Sequence, residues 1–444
     1  MEVERYQDWS RQLHRRVVAQ RTPADGTIEV TRRCPLTCAH CYNNLPVGDR
    51  AARRGELSLD EHCRIVDEIA DAGCLWLLYT GGEIFARADF LEIYTHAKRA
   101  GLIVTLFTNG TMITPRIADY LLEWRPFAIE ITLYGRTRET YERLTGVPGS
   151  YDRCLRGVRL LKERGLPLKL KTVAVSINKH EVWEMQRFAE DELGVPFKLD
   201  AMINPRIDCS ASPLAVRLTP AEVVAFDLED DRRAGEWQRF CEQYQGPAHV
   251  GADVDRVYAC GGGVNSFAID PEGKLSICTL SHRDTFELRQ GSFREGWEAF
   301  LRLVRERKAT RLTKCRACAI KSMCGMCPAN GELENGDPES PVDFLCHVAH
   351  LRATALGIAV PEHGECEYCP GGERHGDLQR SLASLGRARE LIGSRGRRPA
   401  GPAPPALPVL GAAAGTASAC GSCGTCGSAA PPEPAGVATG RGKA

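Results

Sequence analysis

Three cysteines occur close together in the segment VTRRCPLTCAHCYNN, which spans Val30 to Asn44. Cys34, Cys38 and Cys41 form a C-x3-C-x2-C pattern, one ligand short of the four that a closed metal site uses. Three thiolates can hold three irons of a 4Fe-4S cluster and leave the fourth iron without a protein ligand. The pattern therefore predicts a cluster with one coordination position open to a cofactor or substrate.

Two other interpretations of these thiols stay open. A zinc knuckle would need a fourth ligand, and His40 lies between two of the cysteines. A disulfide with one free thiol conflicts with the reducing, cytoplasmic location that we expect from a charged N-terminus without an apolar signal region. No apolar run reaches the length of about 18 residues that a membrane helix needs, so no membrane partner is expected.

Charge and cysteine content narrow the classes of partner. The chain has 57 basic and 57 acidic residues, so no overall field favours a polyanion and nucleic acid is not an expected partner. Twenty cysteines in a cytoplasmic chain favour metal ligands or redox centres over disulfides.

Short β-rich runs alternate with amphipathic helical runs from Thr27 to about Pro205. Their near-continuous apolar character predicts parallel strands buried on both faces. Ser58 with Glu61 predicts a helix start, Gly73 a helix end, and Thr114-Pro115 another start. The fold class is α/β, a partial (β/α)6 TIM-like barrel that is open on one side and carries its site at the carboxyl ends of the strands. The six predicted strands are TIEVTRR, CLWLLYTGG, IVTLFTNG, FAIEITLYG, LKLKTVAVS and FKLDAMINP.

Changes in composition predict the domain boundaries. A Cys- and Gly-rich region of short elements fits a fold built around metal clusters, and a tail rich in Ala, Gly, Pro and Ser is expected to be disordered. The expected units are an N-terminal helical segment (1–23), the partial barrel (24–215), a helical linker (216–254), an iron-sulfur domain (255–350), a C-terminal extension (351–394) and the tail (395–444).

The C-x3-C-x2-C motif followed by Tyr42 resembles the signature of the radical S-adenosylmethionine (SAM) superfamily. The resemblance implies that the open iron chelates SAM and that one electron cleaves it to a 5'-deoxyadenosyl radical, which abstracts hydrogen from the substrate. The TGGE segment ending at Glu83 and the TNG segment ending at Gly110 look like further family motifs, although strand-end turns are the alternative interpretation. The implied SAM contacts are Tyr42, Gly81, Gly82, Glu83, Asn109, Thr132 and Asn178.

A second cysteine array resembles the SPASM domain, a C-terminal extension of many radical SAM enzymes that binds two auxiliary 4Fe-4S clusters. Its members are Cys260, Cys278, Cys315, Cys318, Cys324, Cys327 and Cys346. The resemblance assigns the outer cluster to Cys315, Cys318, Cys324 and Cys346, and the inner cluster to the other three. The chain departs from the family pattern because the inner set lacks one cysteine and the last pair is C-x2-C. The inner site could thus have a non-cysteine ligand, an open iron or a 2Fe-2S form, and all-thiolate zinc sites are the alternative.

These features predict an enzyme that modifies a peptide or protein by hydrogen abstraction. We expect a reductant such as flavodoxin or ferredoxin and, because little chain precedes the first strand, a separate leader-peptide-binding protein. Sulfatase maturation is disfavoured because Thr279 follows Cys278 where those members have an aspartate. Asp270, His282 and Asp284 are nearby acid/base candidates, yet each is more typical of a turn or surface, and no catalytic residue is assigned. The alternatives are modification of a small molecule, such as a haem precursor or an amino-sugar, and a non-enzymatic electron carrier or metal scaffold.

Two smaller cysteine groups lie towards the C-terminus. Cys366 and Cys369, in CEYC, could form a metal or redox site. Cys420, Cys423 and Cys426 resemble the Cys-rich core of a modified peptide precursor, with a metal-binding tail and a segment without function as the alternatives.

Overall fold

The computed structural model describes residues 6–244, 256–362 and 366–393, so the predicted disordered tail and its three cysteines lie outside the described residues. Its strands are β1 Asp25–Glu29, β2 Arg33–Cys34, β3 Leu45–Pro46, β4 Trp76–Thr80, β5 Ile103–Thr108, β6 Ala128–Thr132, β7 Leu168–Val173, β8 Phe197–Asp200, β9 Ser266–Ile269, β10 Lys274–Ser276 and β11 Phe286–Glu287. Its helices are α1 Tyr6–Gln20, α2 Arg50–Gly55, α3 Leu59–Asp71, α4 Phe90–Arg99, α5 Pro115–Glu123, α6 Arg138–Thr145, α7 Ser150–Glu163, α8 Val182–Arg187, α9 Pro220–Glu229, α10 Asp231–Tyr244, α11 Phe293–Glu295, α12 Leu301–Glu306, α13 Lys314–Ala317, α14 Pro328–Asn335, α15 Asp343–Ala355 and α16 His375–Ile392.

Six strands form the predicted parallel βα series. β1, β4, β5, β6, β7 and β8 lie side by side in that order, and every neighbouring pair is parallel. Helices connect successive strands, as parallel pairing requires. The prediction of a six-unit α/β partial barrel is confirmed.

The sheet continues beyond the predicted barrel. β9 pairs in parallel with the free edge of β1, and β10 and β11 extend the sheet in antiparallel order, which gives nine strands. The Cys-rich region therefore shares a sheet with the barrel and covers an edge that would otherwise expose unpaired backbone groups. The predicted boundaries at residues 215 and 254 stay predictions.

The residues that predict helix starts and ends in the sequence occupy those positions in the structure. The Ser58 side chain accepts from the Glu61 backbone N–H while the Glu61 side chain accepts from that of Ser58, which starts α3 with a capping box. Thr114 caps α5, where Pro115 takes the first position. Gly73 follows α3 with a φ of 94°, a conformation that glycine adopts without strain.

The prediction that the strands are buried on both faces holds for β1 and β4, whose consecutive residues are buried, but not for β5 and β7. On β5, Val104 and Leu106 are fully buried in the main core, whereas Thr105 and Phe107 on the other face are half-buried. β7 alternates in the same way, with Leu168 and Leu170 buried and Lys169 and Lys171 half-buried. One face therefore packs on the helices and the other lines an accessible, partly polar interior, unlike the apolar core that fills a closed barrel.

The helical linker is two helices, α9 and α10, that meet at Asp230. α9 packs against α15 and α16, and its buried Asp227 accepts from Arg233 and from Arg352 of α15, each at 2.8 Å. These contacts attach the C-terminal helices to the barrel. Within the described ranges, no helix is both long enough and apolar enough to cross a membrane.

Candidate iron-sulfur and cofactor site

The three-cysteine loop follows β1 at the carboxyl end of the sheet. Cys34 and Cys38 are buried with Leu36 in a small apolar cluster, and the half-buried Cys41 packs against it. The Cys34 Sγ atom accepts hydrogen bonds from the Leu36 N–H and from the Asn109 side-chain amide, both at 3.4 Å. All three are free thiols that the structure brings together, as the spacing predicts.

The environment of these thiols fits a cluster better than a single zinc ion. Burial raises the pKa of Cys34 to about 12, with the charge of Glu83 adding to the effect, and burial also raises the pKa values of Cys38 and Cys41. A positively charged metal centre must therefore offset the cost of forming buried thiolates. A single ion also needs three or more ligand atoms close together. No three such atoms within 4.8 Å of one another are found among Cys34, Cys38, Cys41 and His40.

His40 is buried beside the cysteine loop. Burial lowers its pKa to about 4, so the ring is neutral, and its Nδ1 atom has no hydrogen-bond partner among the described residues. The ring packs on Tyr134, with 5.4 Å between ring centroids.

Gly81 and Gly82 bring the end of β4 into backbone contact with the cysteine loop. The Gly82 N–H donates to the Thr31 carbonyl at 2.7 Å. A Cβ atom on Gly82 would lie 2.4 Å from the Arg32 carbonyl oxygen, and one on Gly81, whose φ is 140°, would lie 2.2 Å from that of Thr31. Larger residues cannot occupy either position without moving the loop.

Glu83 and Asn109 extend this contact to β5. The Glu83 carboxylate accepts from the Thr108 hydroxyl at 2.7 Å, the Asn109 N–H at 2.8 Å and the Phe85 N–H at 3.2 Å. Burial raises the pKa of Glu83, and these hydrogen bonds oppose the shift. Since the Asn109 side chain also donates to Cys34, a continuous set of contacts joins Glu83 to a candidate cluster ligand.

The last two predicted SAM contacts differ in position. Thr132 is half-buried at the end of β6, on the accessible face of the sheet. Asn178 is fully buried; its side-chain oxygen accepts from the Val175 N–H at 2.8 Å, and its amide donates to the carbonyls of Val173 at 3.0 Å and Tyr134 at 3.1 Å. Asn178 therefore closes the turn after β7, and its contact with SAM stays a prediction that this geometry does not favour.

Tyr42 connects the loop to the second cysteine array. Its hydroxyl donates to the buried Glu29 at 2.6 Å. Its ring packs against a small buried cluster of Leu280, Ala329 and Leu333, and Cys278 and Cys327 pack against the same cluster. The end of the three-cysteine loop and two predicted inner-cluster ligands therefore border one apolar cluster.

The seven-cysteine array separates into two places. A narrow cavity is lined by all four cysteines assigned to the outer cluster, Cys315, Cys318, Cys324 and Cys346, together with Lys314 and Lys321. Burial raises the pKa of Cys324, and charge on Cys346 adds to the shift. In the inner set, Cys260 lies two residues before Gly262, whose Cβ position is 2.7 Å from the carbonyl of Ile277, the neighbour of Cys278.

The three acid/base candidates have structural partners or limited access. Asp270 accepts from Arg32 at 3.1 Å, and Asp284 pairs with Arg307 at 2.7 Å. Burial lowers the pKa of His282, which favours a neutral ring. Thr279 is buried.

Sequence reasoning missed the polar residues of the barrel interior. Lys171 on β7 and Glu130 on β6 lie on the accessible face, with 3.4 Å between Nζ and Oε2. Burial lowers the pKa of Lys171 to about 8, and Glu130 partly opposes the shift. Lys169 and Lys198 occupy the same face on β7 and β8. The alternation of LKLKTV could have revealed these positions.

Known proteins with related sequences include enzymes of two named activities. Residues 28–189 match the family model of the Radical SAM superfamily. The AdoMet-dependent heme synthase of Methanosarcina barkeri is 25% identical over 329 residues, which are 70% of this chain and 92% of that protein. The PqqA peptide cyclase of Ruegeria pomeroyi is 28% identical over 343 residues, 74% of this chain and 88% of that protein.

Solved structures share the fold. SuiB of Streptococcus suis bound to S-adenosylmethionine matches with a TM-score of 0.55 and 16% identity, over 78% of this chain and 82% of SuiB. Native anSMEcpe with bound AdoMet and Cp18Cys peptide matches with a TM-score of 0.53 and 14% identity, over 82% of this chain and all of that one. With the parallel barrel and the three free thiols, the family match shows that residues 28–189 form a radical SAM domain.

Proposed function

We propose that this enzyme modifies a peptide or protein substrate in the open barrel, with one or two auxiliary iron-sulfur clusters beside the reaction site. Cys34, Cys38 and Cys41 would hold the cluster that SAM binding requires. When bound, that cluster and SAM supply a 5'-deoxyadenosyl radical for hydrogen abstraction. The protein positions the substrate and limits the access of water.

The observation that carries the proposal is the packing around one small apolar cluster, formed by Leu280, Ala329 and Leu333. Tyr42, which follows the last of the three cluster cysteines, packs against it, as do Cys278 and Cys327 of the second array. An auxiliary cluster at the inner site would therefore lie next to the loop that holds the first cluster. Such an arrangement suits a reaction in which the substrate radical must lose an electron after hydrogen abstraction.

The barrel interior offers groups that could position a substrate. Positive charge on the accessible face comes from three lysines, Lys169, Lys171 and Lys198. Two carboxylates, Glu130 and Asp200, lie on the same face. A substrate carboxylate would gain from this charge because the site is partly shielded from water. An acidic residue of a peptide provides such a group.

The related proteins support a peptide and leave one competitor. Several relatives are named PqqA peptide cyclases, and a SuiB structure contains a precursor peptide. Relatives named heme synthases match at similar identity, which favours a porphyrin as the second candidate substrate. A porphyrin with carboxylate side chains would also suit the lysines, so charge alone does not separate the two.

The deciding experiment offers both substrate classes to the same reconstituted enzyme. Peptides encoded by short reading frames beside the gene, and iron-coproporphyrin III, would each be incubated with SAM and a reductant such as flavodoxin. We expect one peptide to change mass as 5'-deoxyadenosine accumulates in step with it, while the porphyrin is unchanged. A separate leader-binding protein, if encoded nearby, should increase the rate.

The opposite result would refute the peptide proposal. Conversion of the porphyrin with no change in any peptide would assign the enzyme to the small-molecule class. Absence of 5'-deoxyadenosine with every substrate, in protein that contains its iron, would favour the electron-carrier alternative.

A further inference from the structure

We propose that His350, Cys366 and Cys369 bind one zinc ion at a site that adjoins the cavity of the outer cysteines. The imidazole nitrogen of His350 and the two thiol sulfurs all lie within 4.8 Å of one another. Ligands that share one tetrahedral zinc ion are about 3.5–3.8 Å apart, so only small movements are needed. Within the described parts of the chain, this is the one group of three or more His, Cys, Asp or Glu residues with such spacing.

The histidine is oriented for metal binding. Its Nδ1 atom lies 2.8 Å from the Cys346 carbonyl oxygen, which can only accept, so Nδ1 carries the proton. The Nε2 lone pair therefore points at the Cys366 sulfur, 3.2 Å away. Metal-binding histidines usually have the other ring nitrogen fixed in this way.

The two cysteines form a compact turn. The Cys369 backbone N–H donates to the Cys366 carbonyl oxygen at 3.3 Å, which closes the turn between the two thiols. Gly372 follows, where a Cβ atom would lie 2.4 Å from the Glu367 carbonyl oxygen, so the chain turns back tightly on the pair. The ring of Tyr368 stacks on His350 with 5.3 Å between centroids and shields the site.

The site is enclosed and chemically suited to zinc. His350 is 4% exposed, Cys366 9% and Cys369 7%. Two thiols and one imidazole form a ligand set that zinc prefers, whereas cysteines that bind different irons of a cubane are spaced more widely. The four outer-cluster cysteines show no such compact group, which distinguishes the two kinds of site.

The position of the site indicates what the ion would do. His350 lies one helical turn after Cys346 on α15, and both His350 and Cys366 line the cavity of the outer cysteines. The turn with Cys369 leads into α16, which packs on α9 and ends where the Gly393 carbonyl accepts from Trp183 at 2.9 Å. A zinc ion would therefore hold α16 against α15 and close one wall of the cavity.

Metal analysis of the full chain tests the site. Protein purified anaerobically from zinc-supplemented cells, with its iron-sulfur clusters loaded, should contain about one zinc per chain. Absorption at the zinc edge should show two sulfurs at about 2.3 Å and one nitrogen at about 2.0 Å. His350→Gln and the Cys366→Ser/Cys369→Ser double variant should lose most of the zinc and keep their iron.

Two matched variants serve as controls. His347→Gln changes a neighbouring histidine of α15 that is outside the group of three, and Cys63→Ser changes a half-buried thiol on α3. Both should retain zinc. If the His350 and cysteine variants lose iron in place of zinc, the residues belong to a cluster and the proposal is wrong. A wild-type protein without zinc, or with a Cys366–Cys369 disulfide, would overturn it even if a variant failed to fold.

Discussion

The barrel and the Cys-rich region hold their thiols by different means. Cys34 and Cys38 sit in an apolar cluster beside a continuous core of strands and helices, and backbone contacts from Gly82 and Glu83 fix their loop. The outer cysteines line a cavity where several helices meet; Cys318 and Cys324 pack against a small local cluster, and Cys346 packs against the main core. Packing therefore shapes the first site, and we expect a bound metal to contribute more of the order at the second.

The two sites also differ in the number of thiols that line them. The barrel loop supplies three, which would leave an iron open to SAM, whereas the outer cavity is lined by the four cysteines assigned to the outer cluster and by Cys366, enough to saturate a cluster. A packed scaffold can keep an incomplete ligand set in place. A region with little core gains more stability from a complete one.

Removal of the barrel thiols should have the largest effect on activity. The triple variant Cys34→Ala/Cys38→Ala/Cys41→Ala should lose about four irons and all detectable 5'-deoxyadenosine formation, because no cluster remains to bind SAM. Its thermal unfolding should stay cooperative, since the main core is untouched. Iron and sulfide analysis, product chromatography and calorimetry measure these outcomes, with Cys63→Ala as control. Retention of SAM cleavage would contradict the site assignment.

Removal of outer thiols should affect order more than SAM cleavage. Cys324→Ala/Cys346→Ala should lose the outer iron and increase hydrogen exchange in residues 314–350, while uncoupled 5'-deoxyadenosine formation continues at a reduced rate. Substrate modification should fall at least tenfold because the auxiliary electron path is lost. Unchanged exchange in this segment would show that packing, not metal, holds the second region.

The sequence predicts these two regions unequally. Helix caps such as Ser58 and the order of six strands follow from local residue patterns, and both are confirmed. The added strand β9 could not be foreseen because its four residues carry no period, and its pairing depends on the free edge of β1. His350 was missed because its link to Cys366 is tertiary, although its spacing of four from Cys346 on one helix was a usable signal.

A single methyl group tests how closely packing defines the barrel site. Gly82→Ala would place Cβ 2.4 Å and 2.6 Å from the carbonyl oxygens of Arg32 and Arg33, so the cysteine loop must move. We expect a loss of about 3 kcal/mol in the free energy of unfolding and at least a tenfold rise in the KM for SAM. Gly48→Ala is the matched control because nothing lies within 4 Å of its Cβ position. Equal stability and equal KM values for SAM in the two variants would contradict a close contact between Gly82 and the cysteine loop.

Replacement of Asn178 distinguishes a structural role of this side chain from direct contact with SAM. Asn178→Ala would leave the Val175 N–H and the carbonyls of Val173 and Tyr134 without their side-chain partner in a buried turn. The expected cost is about 2 kcal/mol in denaturant unfolding, with a KM for SAM within about twofold of wild type once the folded fraction is corrected. A large rise in KM without loss of stability would instead support the SAM contact predicted from the sequence.

The smallest expected effect is on the pH dependence of stability, through Lys171 on the polar face of the barrel. Because burial lowers the pKa of Lys171 to about 8, the folded chain releases this proton near pH 8 while the unfolded chain keeps it to near the model-peptide value of about 10.4. The unfolded state then binds more protons, so Lys171 makes stability rise with pH between these values, by on the order of 1 kcal/mol per pH unit at most. Urea unfolding at pH 8 and pH 10 should show this rise in wild type and less of it in Lys171→Met. Lys198→Met removes the exposed neighbour in register on β8, whose charge adds less to the shift than burial does, so the slope should fall less than in Lys171→Met. Equal slopes in both variants would mean that Lys171 is not shielded from water.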